Sequence, residues 1–483
     1  MTLKTLLRAT AGIATRVATG IATAVAIAVA IATPAAAQPK RPDQRAFFDL
    51  YKELVETNTT LSAGSCTLAA QQIAARLQAA GFKDSDITLF ATAENPREGG
   101  LVAILPGSNA KAKPILLLAH LDVVEAKRED WTRDPFKLVE ENGFYYARGT
   151  VDDKLQAAIW ADTLIRYKQS GKAPRRTLKL ALTCGEETTN AFNGADWLAK
   201  NKPALIAAEY ALNEGGGGRL SPEGKPIGMS VQVGEKTVQN FKLQATNPGG
   251  HSSVPRPDNA VTDLAGAIVR VNTHEFPVQF NDTTTSFFKT MANIMPSAVG
   301  NALTSLIANP QDAAANTIVS RDPQFHSMLR TTCVTTLVSA GHANNALAQR
   351  ATANVNCRMF PGTDPEALRS DLVRIIDNTK VAVTLEAPVR PVAMPPPMNP
   401  AVIGPMMTLS AKHFPRVPFV ATMSTGATDG IFLSPIGIPT YGAPGFYGES
   451  DGNGVHGLNE RVRITSVYQG RDYLDELVHT LAD

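Results

Sequence analysis

From Asp43 onward the apolar positions fall into two alternating textures. Phe47, Leu50, Tyr51 and Leu54 recur at helical spacing and predict a helix over 43–57; a second follows over 67–80 after a Gly/Ser break. Short runs at 101–105, 177–184 and 209–213, and an all-apolar one at 114–119, predict buried strands, and helices are predicted over 155–169 and 194–200. Buried strands that alternate with helices are the pattern of an α/β fold, a mainly parallel mixed sheet covered by helices on both faces.

Near Met229 the texture changes. Residues 230–233 and 238–245 predict half-buried strands, 259–271 a helix, 333–338 and 350–358 two more strands, and 364–378 another helix. Two strand pairs with helices between them predict a smaller inserted α+β domain. Residues 283–320 read as an irregular, partly helical insertion. Beyond the Pro-rich stretch 388–400 the first texture returns, with a helix over 401–413, strands near 417–422 and 439–442, and a terminal helix from Glu460. The expected organisation is a large domain built from 38–230 and 390–483, with 231–389 inserted as the smaller one.

Residues 1–37 stand apart. Lys4, Arg8 and Arg16 precede an uncharged Ala/Ile/Val/Thr run over 17–33, and Ala35-Ala36-Ala37 before Gln38 fits a signal-peptide cleavage site. The alternative is an uncleaved anchor, but the run is short and rich in Ala and Thr. The expectation is an exported protein, periplasmic or secreted, with no stable membrane anchor after cleavage. Removing three basic and no acidic residues takes the formal net charge from +2 to −1. A near-neutral chain without a long Lys/Arg block lacks the electrostatic footprint of a nucleic-acid binder. Its 483 residues, 44% of them hydrophobic, are enough to bury a large core. Cys66, Cys184, Cys333 and Cys357 form no C-x-x-C motif; an oxidising compartment allows disulfides, Cys333 to Cys357 for instance, but spacing leaves the pairing open.

Chemistry enters where polar residues end the strands. The run 114–119 leads into His120-Leu121-Asp122, 177–184 into Gly185-Glu186-Glu187, and 209–213 into Glu214. In an open parallel sheet, the carboxyl ends of the strands face one ligand-binding crevice. Asp152-Asp153-Lys154, before the helix at 155, adds a fourth contribution. Histidine and several carboxylates with few thiolates suit zinc or another borderline divalent ion, and a shared carboxylate permits two ions. Hydrolysis by a water of lowered pKa is the natural use of such a pair, with a neighbouring carboxylate to take its proton.

Beyond that pattern, His120-Leu121-Asp122-Val123-Val124, Trp131, Asp134-Pro135-Phe136, residues 147–154, Gly185-Glu186-Glu187, Asn213-Glu214-Gly215, residues 249–253, residues 358–362 and His456 together resemble the di-zinc metallopeptidase family twenty. This group includes aminoacylases, glutamate carboxypeptidases and acetylornithine deacetylases. The resemblance spans nearly all of 43–480. It implies that His120, Asp152 and Glu214 hold one Zn2+ and Asp152, Glu187 and His456 the other, with Co2+ or Mn2+ as substitutes. It implies Glu186 as general base, Asp122 as acceptor of the second His120 ring N–H, and His251 as the group that polarises the scissile carbonyl, often from the partner subunit. Arg358 and Asn345 match substrate-binding positions, a guanidinium being suited to a free carboxylate. Glu214 stands where many members have Asp, and Asn345 lacks the usual following Pro.

The implied function is hydrolysis of an amide bond next to a free carboxylate, as a carboxypeptidase or dipeptidase, with N-acyl-amino-acid hydrolysis as the alternative. The implied substrate is a small peptide or N-acyl amino acid, and the implied assemblies are a monomer or a homodimer through the small domain. A serine hydrolase is the rival suggested by Gly448-Glu449-Ser450-Asp451-Gly452, but no strand-to-helix elbow surrounds Ser450. A non-catalytic zinc-binding envelope protein is a further rival, opposed by retention of Glu186 beside a complete ligand set.

Overall fold

The computed structural model describes residues 41–188 and 192–483, and the segment 1–37 read as a signal lies outside them. Its main element is a ten-stranded sheet whose centre is parallel. Ile115–His120 lies between Leu178–Thr183 and Tyr210–Asn213, parallel to both, and Thr440–Gly442 runs parallel to Tyr210–Asn213. Antiparallel pairing enters through Gly100–Leu105 on one side and Pro226–Glu235 on the other, while the outer strands Phe419–Ser424 and Tyr447–Gly448 again pair parallel to their neighbours. Two of the antiparallel pairs, Ile87–Phe90 with Gly100–Leu105 and Gly217–Leu220 with Pro226–Glu235, join consecutive strands through connections too short for a helical crossover.

Both faces of the central strands are covered, which is why their sequences are mostly apolar; Lys179, a charged exception, donates from Nζ to the Ala204 carbonyl at 2.9 Å. Leu117 and Ala119 point into a core shared with the helices Pro42–Glu56, Cys66–Ala79, Lys154–Ser170 and Ile464–Ala482. Leu116 and Leu118 point the other way, against Leu198, Ile206 and Leu433. Trp160 is fully buried and its indole N–H donates to the Leu118 carbonyl at 3.1 Å, so it ties the helix Lys154–Ser170 to the strand that ends in His120. Losing that side chain to Ala costs about 3–5 kcal/mol.

A second sheet has four antiparallel strands in the order Thr332–Ala340, Arg350–Met359, Thr237–Thr246 and Val381–Leu385. Period-two alternation sends Phe241, Leu243, Ala353 and Val355 toward the helices Ala260–Thr273 and Pro365–Ile376. The opposite face carries Asn240, Asn356 and Arg358 together with Val238, Val334 and Leu337. Cys333 and Cys357 are direct cross-strand partners and form a disulfide. The other disulfide joins Cys66 to Cys184.

Three local expectations are corrected. Pro226–Glu235 pairs within the large sheet, so the chain passes from one sheet to the other at Lys236. Residues 283–320 are not irregular: Asp282–Ile294, Ser297–Ala308 and Ala313–Val319 are helices that share a core with Pro323–Met328. Their clustered Phe and Leu pack against Val420 of Phe419–Ser424, an outer strand of the large sheet, and cover an edge that would otherwise template further pairing. The terminal helix starts at Ile464, after a short strand Arg461–Arg463, which frees Glu460 for another use.

Candidate metal centre

Parallel register brings three of the chemistry-bearing strand ends level. His120 pairs with Thr183, and Thr183 is followed by Cys184-Gly185-Glu186-Glu187; Leu117, three residues before His120, pairs with Leu212, two before Glu214. Two loops complete the cluster, one carrying Asp152 ahead of the helix Lys154–Ser170 and one carrying His456.

His120 Nε2 lies 3.1 Å from Asp152 Oδ1 and 3.8 Å from Glu214 Oε1. His456 Nε2 lies 3.1 Å from Asp152 Oδ2 and 3.0 Å from Glu187 Oε2. Asp152 thus offers one oxygen to each histidine. Ligand atoms of His120, Asp152 and Glu187 fall within 4.8 Å of one another, and so do those of His120, Glu186 and Glu214. All five residues expected as ligands converge, together with Glu186.

The electrostatics fit a cation. Burial pushes the carboxyls of Glu186, Glu187 and Glu214 above their ordinary range, and neighbouring carboxylates push the same way. Burial lowers the affinity of His120 for a proton, but Glu214, Asp122 and Asp152 outweigh it and hold the ring well above its usual value. Hydrogen bonds to Asp152 and Glu187 raise His456 to about 10. A divalent ion placed among these donors would take over the role of those protons. Oxygen and imidazole donors without thiolate suit zinc, cobalt or manganese; Cys66 and Cys184, although beside Asp122, are committed to their disulfide.

Asp122 is placed differently from the expectation. His120 Nδ1 sits 3.0 Å from the Asp122 backbone carbonyl and 3.7 Å from its carboxylate, which instead accepts the Glu187 N–H at 3.0 Å. The ring is still oriented by residue 122, but by its main chain. The side chain steadies the Glu186-Glu187 loop.

Arg358 alternates with the core residues Cys357 and Met359, so the pleat turns it toward a cleft of about 370 Å³ shared with Glu186, Glu187, His456 and Arg390. His251 and Asn345 are not brought there. His251 lies on an exposed two-stranded ribbon and Asn345 in the turn just before its second strand; Ser252 N–H donates to the Asn345 carbonyl and His251 Nδ1 meets Ser253 Oγ at 2.7 Å.

Two buried acids escaped the motif reading. Asp429 accepts from Thr183 Oγ1 at 2.8 Å and Asn193 Nδ2 at 2.7 Å, behind the loop that carries Glu186. Glu460 is buried against the loop of Asp152, contacting Arg148 and three backbone N–H groups. Asp429 has no spacing signal; Glu460 follows His456 by four positions in a segment whose pattern suits a helix start.

Residues 116–480 match Peptidase family M20/M25/M40. The chain belongs to this family. Membership makes it a hydrolase of the metallopeptidase and amidohydrolase class. Human N-fatty-acyl-amino acid synthase/hydrolase PM20D1 is 27% identical over 403 residues, 81% of this chain and 78% of its own length. Among solved structures, the M20 metallo-carboxypeptidase Sso-CP2 of Sulfolobus solfataricus is similar with a TM-score of 0.67 at 20% identity, covering 90% of this chain and 99% of that one. The YXEP protein of Bacillus subtilis, a dinuclear metal binding peptidase, has a TM-score of 0.56 at 12% identity over 91% of this chain and 98% of its own. At such identities these two speak to the fold.

Proposed function

We propose that this M20 enzyme is an exported di-zinc hydrolase that cleaves an amide bond adjacent to a free carboxylate, in the manner of a carboxypeptidase or dipeptidase. The observation that carries the reading is the shared cleft: Glu186 and Arg358 face it together with the ligand side chains Glu187 and His456. His120, Asp152 and Glu214 would hold one ion and Asp152, Glu187 and His456 the other, with cobalt or manganese able to replace zinc. Bound there, the ions would supply Lewis acidity toward the amide carbonyl and lower the pKa of a water.

The chain's own residues do the rest. Glu186, whose carboxyl burial has raised, takes the proton from water and passes it to the leaving amine nitrogen. Arg358 grips the substrate carboxylate through two N–H donors, which sets the scissile bond over the cluster. His251, exposed on its ribbon, would donate to the carbonyl oxygen from the partner of a homodimer, with Asn345 beside it as a substrate contact.

A second reading has its own support. The human relative is named for N-fatty-acyl amino acids, and Val238, Ile431 and Phe432 give the cleft an apolar wall. N-acyl-amino-acid hydrolysis uses the same residues in the same roles. Export is supported by the segment 1–37 and by two disulfides, which form in oxidising compartments.

The test is elemental analysis of the purified mature protein, paired with hydrolysis of a panel of dipeptides and N-acyl amino acids before and after chelation. About two zinc ions per chain and chelator-sensitive cleavage are expected. Absence of both metal and cleavage overturns the reading, and the preferred half of the panel decides between peptide and acyl substrates.

A further inference from the structure

We propose that Glu460, paired with Arg148, is a positioning residue that sets the spacing between Asp152 and His456 before any ion binds. The inference rests on the reading above, that these two side chains share an ion.

Asp152 and His456 belong to loops from distant parts of the chain, and neither loop has helix or sheet bonding to hold it at those positions. Gly149 and His456 both have positive φ, +82° and +59°, so each segment turns sharply at the site. What joins the loops is the Glu460 carboxylate. Its Oε2 accepts Arg148 Nη1 at 2.8 Å and Gly149 N–H at 3.0 Å; its Oε1 accepts Val151 N–H at 2.8 Å and Asp152 N–H at 3.3 Å. The second prong of Arg148 returns the contact, donating from Nη2 to the Gly457 carbonyl at 2.8 Å, and Ala147 N–H donates to the Glu460 carbonyl at 3.2 Å.

Six hydrogen bonds therefore tie 147–152 to 457–460, and one of them comes from the backbone of Asp152 itself. Only a carboxylate satisfies the set. Successive backbone N–H groups that converge on one point form an anion-binding concavity, and Arg148 adds a cationic fork. A glutamine would keep one acceptor oxygen and turn an NH2 against two donors. The Arg148 guanidinium is itself held, 5.1 Å over the Trp131 ring. An ordinary buried ion pair would support the fold anywhere; this one ends on the Asp152 N–H at its acidic pole and on the carbonyl of Gly457, the residue after His456, at its basic pole.

The test compares wild-type protein with Glu460→Gln and Arg148→Lys, each prepared metal-free and titrated calorimetrically with Zn2+ and, by visible absorption, with Co2+. Wild type is expected to bind two ions. Glu460→Gln should weaken the ion shared by Asp152, Glu187 and His456 by about 10–100-fold, alter its cobalt spectrum, and affect the other ion less. Arg148→Lys, which keeps the backbone bonds to Glu460 and loses the fork, should shift the same ion in the same direction by a smaller factor, so the inference stays testable if Glu460→Gln fails to fold. Variants that melt at lower temperature yet bind both ions with wild-type affinity overturn the inference alone. Wild-type protein that binds no divalent ion overturns the inference together with the reading beneath it.

Discussion

His120 Nε2 stands 3.1 Å from Asp152 Oδ1, although 32 positions separate the two in the chain. The other Asp152 oxygen is equally close to His456. One carboxylate between two imidazoles is the geometry a bridging ligand requires, and it arises because a central strand end and two loops meet at the carboxyl end of the sheet.

Glu186→Gln should leave the ligand set intact and remove the proton acceptor. Turnover is expected to fall by roughly 10²–10⁴-fold with metal content unchanged. Kinetics and elemental analysis on the same preparation check it; a variant that retains a tenth of wild-type turnover would show that another group moves the proton.

Arg358→Met should act on substrates that carry a free carboxylate. Removing a charge-assisted contact of about 1.5–3 kcal/mol corresponds to a loss of roughly tenfold to a hundredfold in kcat/KM, seen mainly in KM. The matching C-terminal amide serves as control. Equal losses on acid and amide would mean that Arg358 supports the cleft without gripping the carboxylate.

A buried carboxyl outside the ligand set gives a pH prediction. Burial pushes Glu235 up to about 8, against the hydrogen bonds it receives from Thr428. Between the ordinary carboxylate range and pH 8 the folded chain holds a proton that the unfolded chain has released, so this group's contribution to stability falls as pH rises through that window. Glu235→Gln removes the dependence. Its stability relative to wild type should be near level at pH 4.5 and higher by a few kcal/mol at pH 9, at about 1.4 kcal/mol per pH unit. Urea unfolding at the two pH values measures this, and a difference that does not change with pH would count against a protonated Glu235.

His251→Ala tests the dimer. If the ribbon reaches a neighbouring subunit, the variant should lose turnover by about 10²-fold or more while its mass by light scattering and its metal content match wild type. A monomeric wild-type enzyme with full activity would remove the proposed role of the partner.

Much of this protein is legible in its residues taken in order. Strands buried on both faces are mostly apolar, so the runs ending at His120, Thr183 and Asn213 stand out despite Lys179, and the polar residues after them mark the crevice. Arg358 is placed by the same local rule, since the pleat alone puts it opposite Cys357 and Met359. These features depend on near neighbours in the chain.

What only the tertiary structure decided depends on partners far apart. Glu460 lies where the local pattern suits a helix, yet burial against Arg148 and the N–H groups of Gly149, Val151 and Asp152 gives its carboxylate more donors than a helix start would offer. Asp122 has the right spacing to receive the His120 ring, but the Glu187 N–H competes for its carboxylate and the ring takes the backbone carbonyl. Residues 283–320 look irregular until their Phe and Leu side chains are packed against one another and on Val420. The cysteine pairing was open for the same reason, because Cys66 meets Cys184 across 118 positions. Periodicity encodes which way a side chain faces; which distant group meets it there is set by the competition among all possible partners once the chain has closed on itself.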